Sequence, residues 1–233
     1  MFKNKSFLAI IPARGKSKRI PKKNLKPLAG KPLVEWTIEA AKKSKYIDEI
    51  VLSSDDNAIL SIGKKLHIKT IKRPDELATD TSKTIDAVIH AINNFQHHFD
   101  YIVLLQATSP LRNETHIDGS IEFLFSKKAD AVISVCETEF NPLWSNTLPD
   151  DLSMKNFLPE NVINKRSQDL PKFYRLNGAI FICKTEILLK EKTFFIKDKI
   201  YAYIMDKIYS IDIDDEFDFT LAEFIKTTLI HKS

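Results

Sequence analysis

Short apolar runs alternate with helical patterns through the first half of the chain. The runs FLAII, EIVLSS, HIKTI, YIVLLQ and DAVISVC have the composition of buried strands, and a segment of helical periodicity follows each of the first four. Strands that are connected through helices run parallel, and their right-handed connections place helices on both faces of the sheet. The alternation therefore predicts an α/β fold built on a mostly parallel sheet.

The alternation stops between Glu137 and Arg175. This stretch contains four prolines, shows little periodicity and is too long for an ordinary connection. We expect residues 137–175 to form a lid, a dimerisation arm or another functional excursion. Beyond it, NGAIFIC, YAYIM and IYSIDI predict further strands. The closing helix is expected to bury a face that carries Phe217, Leu221, Phe224 and Ile225.

The first predicted strand runs directly into a strongly basic loop, which ends at Asn24. The loop IPARGKSKRIPKKN carries six Lys and Arg residues, which indicates a local anionic ligand such as a phosphate chain. With only five glycines, the chain has neither a G-x-x-x-x-G-K-[ST] loop nor a G-x-G-x-x-G fingerprint. Side chains must then bind the phosphates, and the candidates are Arg14, Lys23, Ser17 and Asn24. The alternative is a solvated charged loop, or a weak surface for RNA.

The overall composition favours a protein with a buried core and a small anionic ligand. Apolar residues make up 43% of the chain, and 35 basic residues are nearly balanced by 31 acidic ones, a weak excess for a nucleic-acid binder. Cys136 and Cys183 lie in apolar runs and are expected to be buried, reduced thiols. No run approaches a membrane span, and the first apolar run is too short for a signal peptide, so we expect a cytoplasmic protein without membrane or nucleic-acid partners.

Two aspartates near the end of the chain are candidates for a metal site. In SIDIDDEFD, Asp212 and Asp214 alternate with isoleucines, and this spacing of two places both carboxylates on one side of an extended segment. Mg²⁺ typically binds one or two carboxylates together with substrate phosphates. Alternatively, Asp214 or Asp215 merely caps the last helix, but capping does not explain Asp212.

Five segments occur in the order of a known family: IIPARGKSKRIPKKNLKPLAGKPL, RPDELATD, LLQATSPLR, LPKFYRLNGAIFI and SIDIDDEFD. Together they resemble the CMP-sialic acid synthetases, the N-acylneuraminate cytidylyltransferases, over essentially the whole chain. The resemblance implies a single domain over residues 1–233 with a doubly wound, mostly parallel sheet flanked by helices, of the nucleotide-diphospho-sugar transferase-like kind. It further implies CTP and a nonulosonic acid as substrates, Mg²⁺ as cofactor, and a homodimer in which residues 137–175 form the dimerisation arm.

The resemblance also implies roles for individual residues. Arg14, Ser17, Lys23 and Asn24 would hold the nucleotide, with Arg73 and Thr84 completing its pocket. Gln106, Arg175, Phe194 and Phe195 would line the sugar pocket. Asp212 and Asp214 would bind the metal, and Arg14, Lys23 and Asp212 would contribute most to catalysis.

Two departures from the family pattern fall on the sugar side. Trp144 stands where some bacterial members have a lysine, and Ser167 stands where an arginine usually precedes the glutamine. N-acetylneuraminic acid is the expected acceptor, with legionaminic and pseudaminic acid as alternatives. A cytidylyltransferase for the eight-carbon acid of lipopolysaccharide is less favoured, because its opening motif usually differs after Pro-Ala-Arg.

Overall fold

A computed structural model describes residues 2–230. The strands are β1 (Phe7–Pro12), β2 (Pro27–Leu28), β3 (Lys31–Pro32), β4 (Glu49–Ser54), β5 (Lys69–Lys72), β6 (Tyr101–Leu104), β7 (Ala131–Glu137), β8 (Tyr174–Lys184) and β9 (Ile200–Ile204). The helices are α1 (Leu33–Lys43), α2 (Asn57–Lys65), α3 (Thr84–Asn93), α4 (Glu114–Ser126), α5 (Thr185–Glu191) and α6 (Glu216–Ile225), and α6 continues into a π-helical turn, Lys226–Ile230.

Seven of these strands form one sheet, in the order β5-β4-β1-β6-β8-β7-β9. The pairs β5–β4, β4–β1, β1–β6 and β7–β9 are parallel, whereas β8 runs antiparallel to both of its neighbours. The prediction of a mostly parallel sheet is confirmed. Because β8 is reversed, its first residues lie at the edge of the sheet where the parallel strands end.

Helices cover both faces of the sheet, which confirms the doubly wound prediction. Along β1, alternate residues point to opposite faces. Ile11 packs in one cluster with Ile38 of α1 and residues of α4. Ile10 packs in the other with Val88 of α3 and Leu188 of α5. Each fully buried aliphatic side chain contributes roughly 1.5–3 kcal/mol, so both layers are held mainly by burial.

One prediction for the end of the chain is wrong, and a second is only partly confirmed. IYSIDI is not a strand: a 3-10 turn, Lys207–Tyr209, precedes an extended segment that joins no sheet within residues 2–230. Helix α6 buries Ile225 and packs Leu221 against the core, as predicted, but it buries Phe219 in place of Phe217 and Phe224, which are exposed. Both faces have helical spacing, so the pattern alone could not choose between them. The choice is made by the apolar surface that α6 covers, which includes Trp36.

The excursion at 137–175 contains two 3-10 turns, Pro142–Trp144 and Ser167–Asp169, before β8 begins at Tyr174. Its large exposed apolar side chains are Phe140, Leu148, Leu152, Met154, Ile163 and Tyr174. Its role as a dimerisation arm and the single-domain assignment stay predictions.

Other sequence predictions concern thiols and membrane spans. Cys136 and Cys183 are buried and free, as predicted, and burial raises the pKa of Cys183 to about 12. None of the helices within residues 2–230 is long and apolar enough to cross a membrane.

Candidate active site

A cavity of about 520 Å³ opens at the carboxyl ends of the parallel strands. The basic loop after β1 forms one wall, and the segment after β6 together with the aspartate segment forms the opposite wall. Nine of the residues singled out from the sequence line it: Arg14, Ser17, Lys23, Asn24, Arg73, Thr84, Gln106, Asp212 and Asp214. This edge is where open α/β sheets bind ligands.

Ser17 holds the basic loop in shape. Its hydroxyl donates to the carbonyl of Ile20 at 2.6 Å and accepts from the backbone N–H of Lys23 at 3.0 Å. Ile20 itself is buried and anchors the loop against the core. The hydroxyl is therefore engaged inside the loop, and Ser17 shapes the wall from which Lys23 projects.

Two buried polar groups on the cavity wall have atoms without a hydrogen-bond partner among residues 2–230. The Asn24 amide nitrogen donates to the carbonyl of Arg14 at 2.9 Å, but its Oδ1 has no partner. Arg73 lies 3.5 Å from Asp55 through Nη2, while its Nε has no partner. Buried polar atoms are normally paired, so these two atoms have hydrogen-bonding capacity that no described residue uses.

Lys23 reaches across the cavity to the aspartate segment. Its ammonium donates to the carbonyl of Ile213, which separates Asp212 from Asp214. Burial lowers the pKa of Lys23, and the charges of the two aspartates oppose that shift. The cation of one wall is thus fixed against the carboxylates of the other before any ligand binds.

Asp212 packs against a bulge at the start of β8. The pairing of β7 with β8 shifts register between Ile133 and Val135, and Gly178 adopts a positive φ of +70° in this region. A Cβ on Gly178 would lie 2.7 Å from Oδ2 of Asp212 and 3.4 Å from Oε1 of Gln106. Only a glycine allows this backbone conformation and this close approach together.

Thr108, which sequence reasoning missed, fixes the aspartate segment from the opposite side. Its carbonyl accepts the backbone N–H of Ile213 at 2.8 Å, and its hydroxyl donates to Oε1 of Gln106 at 3.4 Å. Burial raises the pKa of Asp212, and the nearby Thr108 hydroxyl is the largest influence that opposes this shift. The only sequence signal for Thr108 was its position in the polar turn after β6.

Asp80, also missed, neutralises part of the basic loop. Its carboxylate accepts from Arg14 at 2.9 Å and from Lys18 at 2.8 Å. Hydrogen bonding from Lys18 lowers the pKa of Asp80. On the same rim, Arg19 pairs with Asp214 at 3.1 Å. Such exposed pairs contribute about 0–1 kcal/mol each, so an anionic ligand can replace them readily.

Three predicted sugar-pocket residues do not line this cavity. Arg175 makes a two-pronged ion pair with Glu139 of the excursion, at 2.7 and 3.0 Å. Phe194 is buried and Phe195 exposed, and their ring centres lie 5.8 and 6.4 Å from that of Phe181 on β8. Phe181 in turn pairs with Leu104, two residues before Gln106 in the sequence.

Asp212 and Asp214 are the side chains that could hold a metal here. No group of three or more His, Cys, Asp or Glu residues converges in the part of the chain that the structure describes. A half-buried carboxylate beside an exposed one suits Mg²⁺, which takes one or two carboxylates and completes its shell with phosphates and water. The raised pKa of Asp212 reflects a charge that a cation would stabilise.

Solved structures share this fold at low sequence identity. The structure of CMP:2-keto-3-deoxy-manno-octonic acid synthetase complexed with CTP superposes with a TM-score of 0.70 at 13% identity, covering 95% of this chain and 98% of that one. The 4-diphosphocytidyl-2C-methyl-D-erythritol synthase of Anaerococcus prevotii gives a TM-score of 0.68 at 16% identity, covering 96% of each chain. The chain thus shares the α/β fold of these two structures.

The chain belongs to the cytidylyltransferase family, whose model matches residues 8–227. It is 37% identical to the N-acylneuraminate cytidylyltransferase of Streptococcus agalactiae serotype V, over 91% of this chain and 51% of that protein. It is 34% identical to the CMP-N,N'-diacetyllegionaminic acid synthase of Legionella pneumophila, over 93% of this chain and 94% of that protein. Pseudaminic acid cytidylyltransferase of Campylobacter jejuni (serotype O:23/36, strain 81-176) is 32% identical, over 94% and 95%. The chain spans about half the length of the streptococcal relative.

Proposed function

We propose that this protein transfers CMP from CTP to the anomeric hydroxyl of a nonulosonic acid and releases pyrophosphate. The observation that carries the proposal is the cavity itself, where Lys23 of the basic loop faces Asp212 and Asp214 of the opposite wall. Cations on one side and metal-binding carboxylates on the other suit a magnesium-bound triphosphate. The names of the relatives point to the same chemistry.

The nucleotide end of the proposed site lies around Asn24 and Arg73. Their unpartnered Oδ1 and Nε provide one buried acceptor and one buried donor, which can recognise a base or ribose by hydrogen bonding. Thr84, at the start of α3, adds a hydroxyl from the other side of the cavity. Ser17 contributes by holding the loop rather than by direct contact.

The reaction is a single displacement at the α-phosphorus of CTP. The anomeric oxygen forms a bond to that phosphorus while the bond from the phosphorus to the bridging oxygen of the β-phosphate breaks. The electron pair of the broken bond leaves with pyrophosphate, and the proton of the anomeric hydroxyl passes to solvent. Arg14 and Lys23 neutralise the charge that builds up on the leaving group, and the cavity holds the two reactants in line. When bound by Asp212 and Asp214, Mg²⁺ would supply further positive charge to the phosphates.

The sugar acid would bind on the side of Gln106 that faces β8. Arg175 is proposed to receive the carboxylate of the acid, because its fork matches that group and already holds the carboxylate of Glu139. Phe194 and Phe195 provide an apolar surface for an acyl substituent. N-acetylneuraminic acid is the first acceptor to test. The relatives are similarly identical to this chain, so legionaminic and pseudaminic acid belong in the same test.

We further propose that the active form is a cytoplasmic homodimer assembled through the excursion. Exposed apolar side chains recur along it, among them Phe140, Leu152 and Met154. Exposed apolar side chains that recur along one segment of a folded chain indicate a surface for interaction with another protein. A second copy that packs here would also cover Arg175 through its partner Glu139.

The direct test is a pyrophosphate-release assay with CTP, Mg²⁺ and a panel of acids: N-acetylneuraminic, legionaminic, pseudaminic and 3-deoxy-octulosonic. Release is expected with at least one of the nine-carbon acids, and only when acid, CTP and Mg²⁺ are all present. Replacing CTP by UTP provides the control for the base. Release with the eight-carbon acid alone would reassign the acceptor, and no release with any acid would refute the proposal.

A further inference from the structure

A buried arginine lies behind the cavity wall and belongs to none of the roles described so far. Arg112, in the turn between β6 and α4, is 1% exposed. It forms no ion pair with a carboxylate in the described part of the chain, and its Nε and Nη1 have no hydrogen-bond partner there. Burial lowers its pKa to about 9. A buried guanidinium of this kind is a poor source of stability.

Within residues 2–230, Arg112 makes one side-chain hydrogen bond, and it leads towards the candidate active site. Its Nη2 donates to the hydroxyl of Thr37 on α1 at 2.8 Å. A guanidinium can only donate, so the Thr37 hydroxyl uses an oxygen lone pair here and keeps its own hydrogen for another acceptor. That acceptor is the backbone carbonyl of Gln106, reached by a long hydrogen bond of 3.3 Å.

Gln106 begins a three-residue segment, residues 106–108, that contacts two parts of the proposed site. The side chain of Gln106 lines the cavity next to Gly178. Two residues later, the carbonyl of Thr108 holds the N–H of Ile213, the residue that follows Asp212. A shift of segment 106–108 would therefore move the proposed sugar contact and the proposed metal ligand together.

We propose that Arg112 and Thr37 are positioning residues for the reaction, which hold segment 106–108 in place through one backbone carbonyl. This inference rests on the proposed function for its kinetic consequence. The hydrogen bonds from Arg112 to Thr37 and from Thr37 to the Gln106 carbonyl form a relay. Its direction of donation is fixed, because Arg112 can only donate and a carbonyl can only accept. Thr37, fully buried, is the one group that connects them. Neither residue lines the cavity.

The kinetic test compares Thr37→Val, which keeps the shape of the side chain but removes the hydroxyl, with Thr37→Ser, which keeps the hydroxyl. For Thr37→Val we expect kcat for pyrophosphate release to fall on the order of ten-fold, because small displacements of reacting groups are costly in rate. The KM for CTP should stay near the wild-type value, since Asn24 and Arg73 lie outside the segment. Thr37→Ser should restore kcat.

The matched control is Ser120→Ala. Ser120 is a fully buried hydroxyl on α4 that donates to the carbonyl of Ile117 at 2.7 Å and has no link to the cavity. Both variants are measured at a temperature where they are folded. If kcat falls as much in Ser120→Ala as in Thr37→Val, Thr37 has only a structural role, and the proposed positioning role is wrong. If Thr37→Val does not fold, Thr37→Ala removes the same hydroxyl without adding a methyl group.

A second readout does not depend on turnover. The N–H of Ile213 donates to Thr108, so its hydrogen exchange should accelerate in Thr37→Val and in Arg112→Met, but not in Ser120→Ala. The double variant should exchange no faster than either single one, because both break the same relay. Unchanged exchange would overturn the inference. If the wild-type protein releases no pyrophosphate, only the proposed function is refuted. The hydrogen exchange of the Ile213 N–H still tests whether the relay exists.

Discussion

The ammonium of Lys23 donates to the backbone carbonyl of Ile213, 190 residues later in the chain. This contact closes the cavity between the basic loop and the aspartate segment. Because Ile213 lies between the two carboxylates, the lysine is held next to both without forming an ion pair that would occupy either. Lys23 is therefore placed to contact phosphate and metal-bound oxygens at the same time.

Replacing Lys23 by methionine should lower kcat/KM for CTP on the order of 100-fold, because a partly buried cation is removed from the charge that develops on the leaving group. The matched control is Lys16→Met, since Lys16 belongs to the same loop, is exposed and does not line the cavity. Steady-state kinetics of pyrophosphate release measure both. Equal losses in the two variants would mean that the loop acts only through its net charge.

Asp212→Asn should abolish most turnover yet make the ligand-free protein more stable at neutral pH. Burial raises the pKa of Asp212 above the ordinary aspartate value of 3.8, so folding disfavours the ionised form. Between the pKa of Asp212 in the unfolded chain and its raised pKa in the folded protein, the folded protein binds more protons than the unfolded chain. The free energy of unfolding of the wild type therefore falls as pH rises through this interval. At pH values above the raised pKa, the free-energy cost of burying the ionised Asp212 is constant, and the asparagine variant does not have this cost.

The measurement is thermal unfolding without Mg²⁺ or CTP, from pH 7 down towards pH 4. The melting temperature of Asp212→Asn should exceed that of the wild type at pH 7, and the difference should shrink as pH falls. Asp215→Asn is the control, because Asp215 caps α6 by accepting from the N–H groups of Phe217 and Asp218, which asparagine can also do. A lower melting temperature for Asp212→Asn at pH 7 would contradict the prediction.

Gly178→Ala tests the close approach of β8 to the aspartate. Gly178 and Gly30 both have positive φ, of +70° and +83°, so alanine at either position should destabilise the fold by roughly 1–2 kcal/mol. A new Cβ at Gly178 would meet the Asp212 carboxylate, whereas one at Gly30 would meet no atom within 4 Å. We expect turnover to fall only in Gly178→Ala. A fall of the same size in Gly30→Ala would assign the effect to backbone strain.

The sequence predicted those parts of the site that depend on residue type and local spacing. Two sequence features pointed to residues on both walls of the cavity: the basic loop after β1, and the two aspartates that flank Ile213. The second feature was informative even though the aspartate segment joins no sheet within residues 2–230. The alternation persists there because Ile213 is buried and its N–H is held by Thr108. The spacing of two between Asp212 and Asp214 requires only that the segment be extended, and it does not require pairing with another strand.

The parts that were missed depend on contacts between distant segments. Ser17 was expected to face a ligand, yet its hydroxyl closes its own loop. Asp80 meets the basic loop from a connection more than 60 residues later. Nothing in the local sequence of Gly178 reports that its Cβ position is filled by Asp212. Such information lies in how segments pack, which periodicity and composition do not encode.

The excursion gives a prediction about assembly. Phe140, 81% exposed, lies three residues beyond β7, next to the ion pair between Glu139 and Arg175. If a second copy covers this surface, Phe140→Asp should place a charge in a buried interface and convert the dimer to a monomer. Sedimentation equilibrium measures the mass.

The matched control for that substitution is Phe217→Asp, because Phe217 is 75% exposed but lies at the start of α6, outside the excursion. It should leave the mass of the dimer unchanged. A wild-type protein that sediments as a monomer would contradict the homodimer, and a dimer that persists in Phe140→Asp would move the interface away from this part of the excursion. Because the Arg175 guanidinium is held by Glu139 next to Phe140, the monomeric variant should also show a raised KM for the sugar acid and little change in the KM for CTP.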